Sequence, residues 1–136
     1  MQTASAALQA GQSPIIYTAR GETVSGPLNL ERVGKTLGLL LATLKDRHHL
    51  ERVAVASGDT SSHALATLGI LALTLHHAIP TTPVSPVCTT HTCGGSEFEI
   101  SLKGGQIGND RYFVDLRHGA FKGWITKPCK QPKSGF

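Results

Sequence analysis

Val53-Ala54-Val55-Ala56-Ser57-Gly58-Asp59-Thr60-Ser61-Ser62-His63 joins four small β-compatible residues to a glycine and then to a cluster of hydroxyl and carboxylate side chains. The pattern predicts a strand that stops at Gly58 and turns directly into a helix capped by Asp59, Thr60 or Ser61. A helix that starts this way points free backbone N–H groups outward, and its dipole adds partial positive charge at the same end. That combination is an anion site. The strand, nearly all apolar over Arg52 to Ala56, reads as a central one covered on both faces.

Before it, Asn29 is a plausible N-cap, with Glu31 and Arg32 in the first turn. Leu30, Val33, Leu37, Leu40, Leu41 and Leu44 then recur at helical spacing as far as Arg47. This predicts an amphipathic helix laying one face on a sheet. His48 and His49 end it, where imidazolium complements the C-terminal dipole. Further upstream, residues 2–10 carry helix-favouring alanines and stop at Gly11, a good residue just past a helix end. Pro14 to Thr18 reads as a short strand, and Arg20 to Pro27 as loop.

After it, the helix from Thr60 to Leu68 is stopped by Gly69. Ile70 to His76 alternates with period two and is expected to be a strand, as are Val87 to Thr92 and Phe98 to Lys103. Gly104-Gly105-Gln106-Ile107-Gly108 then turns into a last short helix over Asn109 to Arg117, capped by Asn109 or Asp110. Alternating strands and helices with glycine-rich turns at strand ends give an α/β class, a single domain in which helices pack on the faces of a sheet. Ligands of such folds sit at the carboxyl ends of the strands, and both glycine-rich turns follow strands. The two loops are therefore expected to share one site. Residues 1–118 form this domain, and 119–136 form a basic, Pro- and Gly-containing tail.

The totals narrow the function classes. At 136 residues, with 40% hydrophobic and 16% charged, the chain is a globular domain that needs no staples. Aromatics at 5% argue against a base-stacking nucleic-acid module. Of thirteen basic residues, Arg117, Lys122, Lys127, Lys130 and Lys133 fall in the last twenty, so the net charge of +4 belongs largely to the tail. No apolar run reaches the ~18 residues of a membrane span. The N-terminus has no signal-peptide pattern, and three cysteines fit a reducing compartment, so the cytoplasm is expected.

Within the loops, Gly58 lets backbone approach a phosphate, while Thr60 and Ser61 offer hydroxyl and N–H donors. Asp59 suits a water-bridged magnesium or a ribose hydroxyl. Three glycines in five residues at 104–108 imply close approach or positive φ, and Lys103 at the strand end can meet a phosphate. The stretch is not a Walker A loop, because its glycine spacing and Lys-Ser/Thr are missing. Cys88, His91 and Cys93 make a C-x-x-H-x-C cluster, but a strand would alternate their faces and no fourth ligand is at hand, so no metal ligand set is assigned. His48-His49 and His76-His77 read as surface or helix-end histidines. Ser57 or Ser61 with His63 lacks a nucleophile elbow.

The pairing of these two loops carries a resemblance. Val-Ala-Ser-Gly-Asp-Thr-Ser at 55–61, Leu-Lys-Gly-Gly-Gln-Ile-Gly at 102–108 and Asp-Arg-Tyr-Phe at 110–113 resemble the C-terminal nucleotide-binding domain of the four-carbon acid sugar kinases, over about residues 5–118. In that family the first loop usually reads Gly-Gly-Asp-Thr-Ser, and the second Lys-Ser-Gly-Asn-Phe-Gly or Lys-Gly-Gly-Gln-Val-Gly. The resemblance implies ATP with magnesium and phosphorylation of a hydroxyl on a threonate, erythronate or 3-oxo-tetronate. It carries over Gly58, Asp59 and Thr60, and Gly104 and Gly105, as nucleotide contacts. With Ser57, Ser61, Lys103 and Gly108 they form the expected ATP site. Ser57 stands where the family has its first glycine. Family members also carry an N-terminal sugar-acid-binding domain that has no counterpart here. The expectation is thus an ATP-binding portion, inactive by itself and open to self-association. The alternative is a degenerate, non-catalytic binding or interaction domain.

Overall fold

The computed structural model describes residues 1–18 and 29–119. The loop expected over 20–27 and the tail beyond Gly119 lie outside the described residues. Four helices and four strands follow one another as α1 (Gln2–Gln9), α2 (Leu30–His48), β1 (Arg52–Ala56), α3 (Gly58–Thr67), β2 (Ile70–His77), β3 (Val87–Thr92), β4 (Glu99–Lys103) and α4 (Tyr112–His118). The strands form a mixed sheet in the order β1-β4-β3-β2. β1 runs parallel to β4, while β4 with β3 and β3 with β2 are antiparallel. The α/β class with helices on the sheet is what the sequence predicted.

Two apolar clusters sandwich the sheet. On one face Val53, Val55, Ala64, Phe98 and Ile100 pack together with Leu41, Leu65, Leu68 and Leu102 around them. On the other, Ile79, Val87, Tyr112 and Leu116 pack against Ala54. β1 is thereby covered on both faces as expected, yet among the described strands it is an edge strand, not a central one. Continuous apolar character reports two covered faces and says nothing about how many neighbours a strand has.

Local signals placed most elements correctly. At the end of α1 the Gly11 N–H donates to the Leu8 carbonyl and Gln12 N–H to Ala7, with Gly11 at φ +72, a Schellman closure. Asn29 caps α2 by accepting from the Arg32 N–H at 2.9 Å. His48 Nε2 and Ser5 Oγ lie 2.6 Å apart and tie α1 to α2. α2 buries Leu44 and packs Leu41 on the sheet cluster, as its leucine stripe predicts. It also presses on α3. A Cβ on Gly34 would stand 2.6 Å from His63 Cβ, and one on Gly38 would stand 2.8 Å from Thr67 Cβ. Two glycines one turn apart let the helix backbones approach, and the row that they occupy becomes the contact. Of the predicted stripe, Leu30 at the start of the helix stays exposed.

Three further corrections follow. Residues 12–17 hold no regular structure, and Ile15, Ile16 and Tyr17 are exposed, because β propensity yields a strand only where a sheet edge accepts it. α3 starts at Gly58 behind Ser57, without a side-chain cap, so Asp59, Thr60 and Ser61 lie inside its first turn. α4 starts at Tyr112 behind Arg111. Asn109 instead accepts the Arg111 N–H on its side chain and the Tyr112 N–H on its carbonyl. β2 is a strand as expected, but its leucines are not buried: Leu71 is 72% exposed and Leu75 64%.

Candidate functional site

The parallel pair β1/β4 places the two glycine-rich loops side by side. Ala56 is in register with Lys103, and one residue later the Ser57 N–H donates to the Lys103 carbonyl at 2.9 Å. The loops therefore leave adjacent strand ends at the same edge of the domain, at the carboxyl ends of the strands where ligands of α/β folds sit. The first loop is only Ser57. Its φ of +98 and ψ of 138 lie where a side chain is strongly disfavoured. Three hydrogen bonds hold it there: the donation to Lys103, and its carbonyl accepting from both the N–H and the hydroxyl of Ser61.

This bend lets α3 begin directly at the strand end. The Ser61 N–H is the first to find an intrahelical acceptor, so the N–H groups of Gly58, Asp59 and Thr60 have none within the helix. Above them the surface is open. A Cβ added to Gly58 or to Gly105 would meet no protein atom within 4 Å. Asp59 is exposed beside these N–H groups, whereas Thr60 and Ser61 are buried. The Ser61 hydroxyl is engaged by Ser57, so its contact with a ligand would come through its oxygen or not at all.

In the second loop the Lys103 ammonium folds over its own turn, donating to the carbonyls of Gly104 at 3.1 Å and Gly105 at 3.2 Å. That leaves one of its three N–H donors for a ligand. Gly108 has φ +108, and a Cβ there would come within 3.0 Å of Lys103 Cε, so glycine is required both for conformation and for the lysine's path.

One anchoring group escaped the sequence reading. Tyr112 is 1% exposed, and its hydroxyl lies 2.7 Å from Ser101 Oγ, which donates toward the Pro86 carbonyl at 2.8 Å. Burial pushes the Tyr112 phenol above its usual pKa, and the Ser101 hydrogen bond offsets part of that rise. The pair pins the far end of the glycine loop to the sheet. The Asp-Arg-Tyr-Phe run after the loop was the available signal, but only the register shows that Ser101 faces the tyrosine.

The remaining clusters stay apart. Cys88 packs at the α2/α3 face, Cys93 is exposed, and His91 pairs with Thr74 and Glu97 on the opposite face. Alternation along β3 thus separates Cys88 from His91, and Cys93 lies beyond the strand. The exposed Asp59 carboxylate and the open N–H groups form a donor set that suits a phosphate group with a hydrated divalent cation.

A family model described as nucleotide-binding C-terminal domain matches residues 1–113. The 3-oxo-isoapionate kinase of Paraburkholderia graminis is 31% identical over 137 aligned positions, which take in 88% of this chain and 29% of the kinase. A crystal structure of a domain of unknown function from Bordetella bronchiseptica, a domain-swapped dimer with bound citrate, superposes with a TM-score of 0.61 at 24% identity. It covers 83% of this chain and 28% of that one, and it shows the shared fold. The chain spans less than a third of the length of either relative.

Proposed function

Since the chain belongs to the nucleotide-binding C-terminal domain family of the four-carbon acid sugar kinases, we propose that it supplies the ATP-binding portion of a kinase acting on a hydroxyl of a small sugar acid. The observation that supports this reading is the Ser57 N–H to Lys103 carbonyl bond, which fastens the starts of the two loops side by side. There the N–H groups of Gly58, Asp59 and Thr60 bind phosphate oxygens, and Lys103 adds a cation. Gly104, Gly105 and Gly108 keep the second wall free of side chains. Asp59 holds magnesium through water, and magnesium there neutralises phosphate charge.

The acceptor is a sugar acid of the threonate, erythronate or 3-oxo-tetronate kind, held by the sugar-acid-binding domain of the kinase. Transfer requires both partners to be positioned, so this portion alone is inactive. The exposed Leu71 and Leu75 give it a surface suited to burial against another domain or a second copy.

Calorimetric titration with ATP and with ADP, both with magnesium, tests the nucleotide reading. Micromolar binding is expected, abolished in Asp59→Ala and in Gly105→Val. The valine is a clean probe, because its Cβ meets only open space in the free protein. No heat at millimolar nucleotide would refute the reading and favour a degenerate interaction domain, for which the side chain on the strained Ser57 is the supporting observation. Phosphorylation of threonate-type acids by this chain alone, at an ordinary kinase rate, would refute the claim of inactivity.

A further inference from the structure

At the other end of the same strands, about 13 Å from the two loops at a rise of 3.3 Å per residue, lies a side-chain cluster that the nucleotide reading leaves unused. β2 carries an irregularity near its end. Leu75 pairs with Cys88 and His77 with Val87, so two steps along β2 match one step along β3, and His76 is the extra residue of a bulge. Neighbouring residues on a regular strand point to opposite faces. The bulge cancels that alternation and brings the imidazoles of His76 and His77 into a stack with centroids 4.0 Å apart.

Across the short side chain of Thr89, which is in register with both Thr74 and Glu99, His76 Nδ1 reaches Glu99 Oε1 at 2.8 Å. Arg52 on β1 holds the other carboxylate oxygen at 2.5 Å. Burial alone would raise the Glu99 pKa, but the Arg52 hydrogen bond and charge, joined by His76, bring it below its ordinary value. Arg52 thereby orients the carboxylate and presents its other oxygen to the histidines, as a ligating carboxylate needs.

We propose that His76, His77 and Glu99 form a site for a divalent transition-metal ion of the zinc type, which clamps the edge strand β2 to β4. One ring nitrogen of each histidine and one Glu99 oxygen lie within 4.8 Å of one another. A tetrahedral zinc with bonds of about 2.0–2.1 Å wants its ligands about 3.4 Å apart. Half-exposed imidazoles close that gap by side-chain rotation, with the metal replacing the His76 to Glu99 hydrogen bond. Two imidazoles and one carboxylate select zinc, cobalt or nickel over magnesium, which takes oxygen ligands. His76 and Glu99 line a depression of about 550 Å³ with Glu51, Glu97 and Arg117, which leaves room for water or a small anion to complete the shell.

The test is titration of the 136-residue chain with zinc by calorimetry and with cobalt by visible absorption. We expect one saturable equivalent, a cobalt spectrum of a nitrogen- and oxygen-ligated ion without thiolate charge-transfer bands, and no competition from excess magnesium. His76→Ala and His77→Ala should each weaken binding roughly tenfold or more, a loss of ~1.4 kcal/mol. Glu99→Gln should do the same. His77 is exposed on the edge strand, so His77→Ala decides the matter whether or not the Glu99 variant folds. Unchanged affinity in His77→Ala, thiolate bands with cobalt, or no saturable binding would each overturn the site.

Discussion

Ser57→Gly gives the most direct reading of how this domain builds its loop. At φ +98 and ψ 138 a residue with a Cβ sits in sparsely populated backbone space, at a cost of about 1–3 kcal/mol. Glycine removes that cost but loses about 0.5–1 kcal/mol by gaining freedom in the unfolded chain. The Ser57 side chain caps nothing, so its hydroxyl contributes little on the other side. The backbone bonds to Lys103 and Ser61 are unaffected by the substitution. The net is a stabilisation of about 1 kcal/mol, worth roughly 3–6 °C in melting temperature for a domain of this size. Thermal and urea unfolding of wild type, Ser57→Gly and Ser57→Ala would measure it. Alanine keeps the Cβ and should show no gain. If glycine fails to stabilise, or alanine stabilises equally, the strain argument is wrong. Relief of strain in the glycine variant should leave nucleotide binding intact or improve it, since the loop path is unchanged and one side chain is gone.

Gly34→Val or Gly38→Val should destabilise by about 1–3 kcal/mol in urea unfolding, because either Cβ overlaps α3; a neutral result would mean that the helices are not so close. Tyr112→Phe should cost about 1 kcal/mol through the lost Ser101 bond. Its unfolded-state phenol titrates near 10 while the folded one is raised. Stability from this group is thus full below about pH 10 and falls as pH rises further. The alkaline loss should be smaller in Tyr112→Phe when unfolding is followed from pH 9 upward. Glu99 shows the opposite sign. Its folded pKa lies below 4.5, so its contribution is present above that value and is lost as pH falls through the folded pKa. Denaturation midpoints between pH 6 and 3 should fall less steeply in Glu99→Gln.

The two glycine-rich loops were legible before any coordinates. Ser57, Gly58 and Asp59 after an apolar strand, and Lys103 to Gly108 after another, marked two loops by local chemistry alone, and each does follow a strand. The capping residues were misplaced because Asp59, Thr60 and Ser61 all have cap chemistry. The choice fell to Ser57, whose carbonyl starts the helix from a conformation that its residue type disfavours. The leucine periodicity of α2 showed its apolar face, but its contact with α3 was not legible, because Gly34 and Gly38 advertise nothing until a second backbone is known to lie against them. The histidine pair at 76 and 77 is exposed, as read, but its stacking was not legible, since a strand pattern separates neighbours and a bulge is not visible in the side chains that it redirects.

The sequence by itself determined most of the element types, the two glycine-rich turns and the family, because propensity, capping and turn chemistry act within a few residues. Only the tertiary structure decided the rest. It made β1 and β4 parallel neighbours, and so brought two separate loops side by side with a hydrogen bond from Ser57 to Lys103. It also set Tyr112 on Ser101 and gathered His76, His77 and Glu99 from two strands that do not touch. Those contacts join residues 11 to 46 positions apart, and strand register, which no local preference encodes, fixes which side chains meet.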